Sequence, residues 1–253
     1  MGNIFDTHAH YDDEAFDPDR DSLLSRLFSQ EICGIVNQGT TVETSRFSVE
    51  LAHRYEKMYA AVGIHPECVD ENSMQQLALI RPLYDDAKVV AVGEIGLDYY
   101  YDVPKALQQE IFEAQLSLAN SLSLPVVVHD REAHGDVLEL LKKYRPAGIV
   151  HCFSGSREMA KEVVKLGMYI GMGGVVTFKN ARKAVEVVAD IPLNSLVLET
   201  DCPYLTPVPF RGKRNDSSFI RYVADCIAGI KGISAEEVLS VTRHNAETVY
   251  QIK

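Results

Sequence analysis

Eight short runs rich in Val, Ile, Ala and Gly recur along the chain, near residues 4–8, 32–38, 58–64, 88–94, 125–129, 147–152, 168–174 and 195–201. Each is short and apolar enough to be a strand buried on both faces. Between them the apolar residues change to helical spacing. Leu107, Ile111, Ala114, Leu118 and Leu122 form one stripe, Val137, Leu138, Leu141 and Tyr144 a second, and Met159, Val163 and Leu166 a third. Eight strands alternating with helices over 253 residues predict an α/β fold of the TIM (β/α)8 barrel type. The rival, an open doubly wound sheet, wants a G-x-G-x-x-G turn after its first strand, where this chain has His8-Ala9-His10-Tyr11. Gly171-Met172-Gly173-Gly174 comes too late for that turn and reads as close backbone approach at the seventh strand end. The even spacing leaves no room for a boundary, so residues 1–253 are expected to be one domain. Beyond the last strand, Asp216 to Ile230 and the capping-box run Ser234-Ala235-Glu236-Glu237 predict two more helices for the outer ring.

In such barrels the reactive face lies at the C-terminal ends of the strands. His8 and His10 stand two apart in the first run, so both imidazoles point to one face, an arrangement suited to a transition metal. Glu94, His129, His151 and Asp201 fall at or just beyond the ends of later runs. Six donors exceed what one tetrahedral catalytic zinc takes, which is three protein groups and an open position. A dinuclear metal site at the strand ends is therefore expected. Glu94 is the expected bridge, with His8, His10 and Asp201 on one ion and His129 and His151 on the other. Asp201 is also placed to accept a proton from the attacking water. Imidazoles suit zinc, nickel, cobalt or manganese, while carboxylates, water and phosphate also admit magnesium.

Charge and cysteine content narrow the context. Against 25 Lys and Arg stand 36 Asp and Glu, a formal charge of -11, which disfavours indiscriminate coating of nucleic acid and requires any such substrate to be gripped locally. Cys33, Cys68, Cys152, Cys202 and Cys226 are odd in number and contain no C-x-x-C pair, so reduced thiols in the cytoplasm are expected. Cys152 and Cys202 neighbour proposed ligands and, by strand alternation, are expected to pack behind the site. Acidic residues from Asp6 onward argue against a signal peptide, Asp6 argues against acylation at Met1-Gly2, and no apolar stretch is long enough to span a membrane.

Six motifs, in order and nearly end to end, give the chain a resemblance to a known family. They are Asp6-Thr7-His8-Ala9-His10, Gly63-Ile64-His65-Pro66, Gly93-Glu94-Ile95-Gly96-Leu97-Asp98-Tyr99, Val128-His129-Asp130-Arg131, His151-Cys152-Phe153-Ser154-Gly155 and Glu199-Thr200-Asp201-Cys202-Pro203-Tyr204-Leu205. The chain resembles the TatD family of metal-dependent deoxyribonucleases and hydrolases, within the amidohydrolase-like barrels. The resemblance implies a TIM barrel, two divalent metal ions held by the ligands just assigned, with Mg2+ or Mn2+ in turnover, and 3′-to-5′ exonuclease activity on DNA or RNA. It also makes His65 a contact to the scissile phosphate. Arg211, Lys213 and Arg214, after the eighth strand, can supply charge-assisted hydrogen bonds to phosphate oxygens. Ser217 stands where the family usually has a proline shortly after the Asn of this segment.

The leading expectation is a phosphodiesterase that removes nucleotides from a nucleic-acid end, single-stranded DNA above all, by attack of metal-bound hydroxide on phosphorus. Hydrolysis of an amide, ester or lactone fits the same ligands, because a metal polarises carbonyl as readily as phosphoryl oxygen. A barrel that binds metal without turnover is the third reading; it would be favoured by loss of Glu94 or Asp201, and both are present. Tyr99, Tyr100, Tyr101 and Phe210 offer faces on which a base can stack. Asp98 and Tyr99 are candidates to orient ligands or substrate, and Glu199 to support the site through hydrogen bonds without being a ligand. His53, His134 and His244 are expected at the surface.

Overall fold

The apolar runs form eight parallel strands in sequence order: β1 (Ile4–Ala9), β2 (Ile32–Gln38), β3 (Met58–Val62), β4 (Val89–Asp98), β5 (Val126–Arg131), β6 (Gly148–Val150), β7 (Tyr169–Met172) and β8 (Leu196–Leu198). The structure, a computed structural model, describes residues 3–252. Met1, Gly2 and Lys253 lie outside the described residues, and with them the Met1-Gly2 pair at which acylation was not expected. Each strand pairs with the next. The seam between β8 and β1 closes through Thr7 Oγ1 to the Leu198 carbonyl at 3.0 Å and a parallel bridge of Ala9 with Cys202. This is the TIM barrel expected from the sequence.

Phe5, Val36, Ala61, Val90, Val127, Ile149 and Val197 form one buried cluster with Ala246, Val249 and Tyr250 of the C-terminal segment. Tyr250 reaches into it, its ring stacked with Phe5 at 6.3 Å between centroids and its hydroxyl donating to the Thr7 carbonyl at 2.8 Å. Apolar strand residues from the other face pack with the helical stripes in a second, larger cluster. The expected helices are present at Lys105–Leu122, His134–Tyr144, Arg157–Lys165, Ile220–Lys231 and Ala235–Val249. Ser234 accepts a hydrogen bond from the Glu237 amide, as its spacing predicts, and Ser156 caps the Met159 amide in the same way. Among the described residues no helix is long and apolar enough to cross a membrane.

Strand ends depart from the sequence reading in ways that matter for the site. β4 runs on to Asp98, because Ile95–Asp98 pair with Val128–Arg131 of β5; Glu94 thus sits inside a strand and not at its end. β3 stops at Val62, and the chain turns at His65-Pro66 with the His65 amide bonded to the Thr40 carbonyl at 2.9 Å. β7 stops at Met172, where the expected close approach is found. A Cβ on Gly171 would lie 2.5 Å from Glu199 Oε2, and one on Gly174 would lie 2.0 Å from the Leu205 carbonyl oxygen.

Candidate metal centre

The barrel gathers all six expected donors at one mouth, and Glu94 stands between two groups of them. Its Oε2 faces His8 Nε2 at 3.3 Å and His10 Nε2 at 3.5 Å, while both imidazole atoms lie 3.5 Å from Asp201 Oδ1. Its Oε1 faces His151 Nε2 at 2.8 Å, His129 Nδ1 at 2.9 Å and His65 Nε2 at 3.3 Å. His8 and His10 bring their Nε2 atoms within 3.1 Å, and His129 Nδ1 lies 3.2 Å from His151 Nε2. Donor separations of this size match the edges of a coordination polyhedron, about 3.3 Å for tetrahedral ligands 2.0–2.1 Å from a cation. His8, His10 and Asp201 form one group able to hold an ion, and His65, Glu94 and His129 another.

The seam of the barrel places the first group. The Asp201 amide donates to the His8 carbonyl at 3.0 Å and the His10 amide to the Cys202 carbonyl at 2.9 Å, locking the β1 donors to the eighth-strand donor. Asp201 adopts positive φ, a conformation aspartate tolerates better than most residues. Beneath it, the buried Asp6 carboxylate accepts from Thr200 Oγ1 at 2.6 Å and Ser217 Oγ at 2.7 Å, and Ser217 also meets the Tyr11 hydroxyl at 2.8 Å. Burial pushes Asp6 up to about 6, and the Thr200 and Ser217 bonds only partly oppose it.

Electrostatics within the donor set are those of a cation site filled by protons. Burial alone would raise Glu94, but the imidazoles of His151, His65 and His8 hold it well below the usual carboxylate range. Asp201 is likewise held low against its burial by His10 and His8. Burial works against charge on His129, yet Asp98 and Glu94 raise it to about 10, and Asp201 and Glu94 raise His10 well above its ordinary value. His8 goes the other way, to about 3, through burial and the neighbouring His151. Excess negative charge that recruits protons onto imidazoles also recruits a divalent cation.

Around the donors, Asp98 Oδ2 holds His129 Nε2 at 2.9 Å, the orienting role considered for it. Tyr99 is turned away, its hydroxyl on Asp136 at 2.5 Å. Glu199 lies buried beneath His151, accepts the Cys152 amide and is raised to about 8 by burial. It stands 4.0 Å from His151 Nδ1 and, with His8 and His151, forms a third potential ligand group that the sequence reading did not include. Cys202 is buried behind the site as expected, whereas Cys152 is not. The chain leaves β6 at Val150, strand alternation ends, and Cys152 lines a cavity of about 380 Å³ with His129, His151 and Asp201. Burial and the nearby carboxylates raise its thiol well above the ordinary value, which leaves it a poor nucleophile. His53 and His244 are exposed, and His134 is half-buried against Asp130 at 2.8 Å.

The cavity at the mouth, about 600 Å³, is lined by five of the six donors, the buried His8 excepted, with His65, Asp12, Asp13, Tyr101, Arg131 and Tyr204 among its walls. The three expected phosphate contacts are not among them. Arg211, Lys213 and Arg214 line an adjoining cavity that shares Asp13 and Tyr204 with the first. Arg214 is engaged by both oxygens of Asp19, at 2.8 and 2.7 Å, and stacks over Phe16; this pairing, invisible in sequence, occupies its planar fork. Arg211 lies over Phe178 and Lys213 over Phe210. Phe210 itself packs against Phe219 and Tyr222.

A TIM barrel whose mouth gathers imidazoles around a shared carboxylate defines the class of metal-dependent hydrolases. The TatD related DNase family matches residues 5–251, and the chain belongs to that family. It is 44% identical over 253 residues to the uncharacterized metal-dependent hydrolase YabD of Bacillus subtilis, covering 98% of this chain and 99% of YabD. It is 32% identical over 259 residues to the 3′-5′ ssDNA/RNA exonuclease TatD of Salmonella typhimurium, covering 98% and 99% of the two chains. The crystal structure of YjjV, a TatD homolog from Escherichia coli, superposes with a TM-score of 0.93 at 34% identity over 99% of each chain.

Proposed function

We propose that this protein is a 3′-to-5′ exonuclease acting on single-stranded nucleic-acid ends, with single-stranded DNA the first substrate to test. The observation that carries the reading is the division of Glu94, whose two oxygens face two separate imidazole groups. Similarity to a relative named as an ssDNA/RNA exonuclease supports the choice of substrate.

In this reading two divalent ions would be held by Glu94 with His8, His10 and Asp201 in one group and with His129 and His151 in the other. Mg2+ or Mn2+ is the favoured pair in turnover, with Zn2+, Ni2+ or Co2+ also matched by the donors. Such ions, when bound, make water nucleophilic near neutral pH and offset charge on a phosphoryl group. Asp201 keeps Oδ1 on the imidazoles of His8 and His10, and its carboxylate would be the group to accept a proton from water held at the site. His65, fixed by the turn before Pro66, orients the scissile phosphate. Arg211 and Lys213 attract the more distant strand through the adjoining cavity, while Arg214 holds their loop against Asp19. The chain acts as one barrel domain, and its five free thiols favour a place in the cytoplasm.

The test is digestion of end-labelled single-stranded DNA by chelated protein to which Mg2+ or Mn2+ is restored, beside Asp201→Asn. Metal-dependent shortening from the 3′ end, absent in the variant, is expected. A metal-loaded protein that leaves DNA intact but hydrolyses an ester, lactone or amide would replace this reading with carbonyl chemistry.

A further inference from the structure

The walls of the metal cavity are acidic. Asp12, Asp13 and Glu67 line it beside the donor carboxylates, and Arg131 is the one lysine or arginine among its lining residues. A polyanion entering such a space needs a fixed cation to meet it. Arg131 follows His129 by two positions on β5, so the two side chains leave the strand on the same face, about 7 Å apart along it.

Arg131 is exposed, and its guanidinium carbon stands 3.9 Å from the centroid of Tyr100 and 5.5 Å from that of Tyr101. Among the described residues no carboxylate lies within ion-pair distance of its guanidinium and no side-chain hydrogen bond fixes it, although its charge helps hold the Asp98 carboxyl low. Cation–π contact positions the group without neutralising it and takes up none of its five N–H donors. Arg214, by contrast, is already paired to Asp19 in the adjoining cavity. Both tyrosines that carry Arg131 are themselves exposed, at 59% and 44%, so their ring faces and the guanidinium are open to a ligand.

We propose that Arg131, carried on Tyr100 and Tyr101, is the residue that binds the phosphate next to the scissile one and so makes the site specific for a nucleic-acid chain. The proposal rests on the nuclease reading. The two side chains start about 7 Å apart along the strand and the guanidinium leans onto Tyr100 and Tyr101, which in this proposal puts it at the neighbouring phosphate and not the reacting one. A single-phosphate diester, such as bis(p-nitrophenyl) phosphate, makes no contact with it.

The experiment is fluorescence anisotropy of a short 5′-labelled, phosphorothioate-linked single strand with Mn2+-loaded protein across a salt series. Arg131→Met should weaken binding about tenfold and reduce the slope of log Kd on log salt by about one. Arg131→Lys should keep the slope while losing part of the affinity, and Arg182→Met, on an exposed helix surface, should change neither. The metal content of Arg131→Met after loading with excess Mn2+, read by elemental analysis, should match wild type, which reports an intact metal centre. Unchanged binding and slope in Arg131→Met would overturn the proposal. If the wild type binds in an Arg131-dependent way but does not shorten the cleavable strand, the exonuclease reading falls and the phosphate site stands. If the wild type does not bind the strand, both fall.

Discussion

Asp98 and His129 lie 2.9 Å apart, carboxylate to Nε2, and this contact decides which imidazole nitrogen faces Glu94. With Nε2–H given to Asp98, Nδ1 is left as the lone-pair donor 2.9 Å from Glu94 Oε1. Groups that orient a ligand in this way typically affect metal affinity 10- to 100-fold. Asp98→Ala should weaken metal binding by about that factor, with hydrolysis recovered at raised metal concentration. Metal titration of the apoprotein checks it; unchanged affinity would show that His129 needs no such support.

Glu94 is held differently, since both donor groups converge on it. Glu94→Ala should therefore lower the metal content of both groups and reduce hydrolysis by at least about 10³-fold, as loss of several kcal/mol of charge stabilisation requires. Elemental analysis beside an activity assay separates the two effects. A variant that keeps full metal and near-normal activity would remove Glu94 from the bridging position.

The pH dependence of metal binding follows from the imidazoles. His129 is raised to about 10 by Asp98 and Glu94 against its burial, and His10 is also raised, so near neutral pH both carry protons that a cation must displace. Affinity should rise with pH, about tenfold per unit for each proton displaced, and level off only as the medium approaches the higher of these values. Calorimetric titration in buffers of different ionisation enthalpy counts the protons directly. Release of none would contradict the protonation pattern.

Much of this centre can be read from the chain because its parts are local. His8 and His10 share a face by strand alternation, and the mouth of a barrel converges the ends of strands that are remote in sequence. What could not be read is set by tertiary pairing. Glu94 lies inside β4 because residues 95–98 find partners on β5, which no periodicity announces. Arg214 looked free for phosphate until the fold brought Asp19 from the first loop against it. Cys152 turned toward a cavity because β6 ends after three residues, and strand alternation does not extend past a strand's end. Arg131 carried one usable signal, its two-residue offset from His129, but its seat on Tyr100 and Tyr101 is visible only in the folded molecule.

Ser217 is bound into the fold by bonds that a proline cannot make. Its amide donates to the Tyr11 hydroxyl at 3.0 Å, and its own hydroxyl reaches Asp6 at 2.7 Å. Ser217→Ala should cost about 1.5 to 3 kcal/mol, the range for a hydrogen bond to a charged group. Ser217→Pro should cost more, because it also removes the amide donor. The cost also depends on pH in a direction that can be worked out. Asp6 titrates near 6 in the folded chain and near 3.8 unfolded, so its ionisation opposes folding and stability falls as pH rises through that window. Removing the Ser217 donor raises the folded value further, which makes the penalty larger at pH 8, where Asp6 is charged, than at pH 5, where it holds its proton. Urea unfolding of the variant and the wild type at both pH values measures the difference, and an equal penalty at each would mean that Ser217 does not support the Asp6 carboxylate.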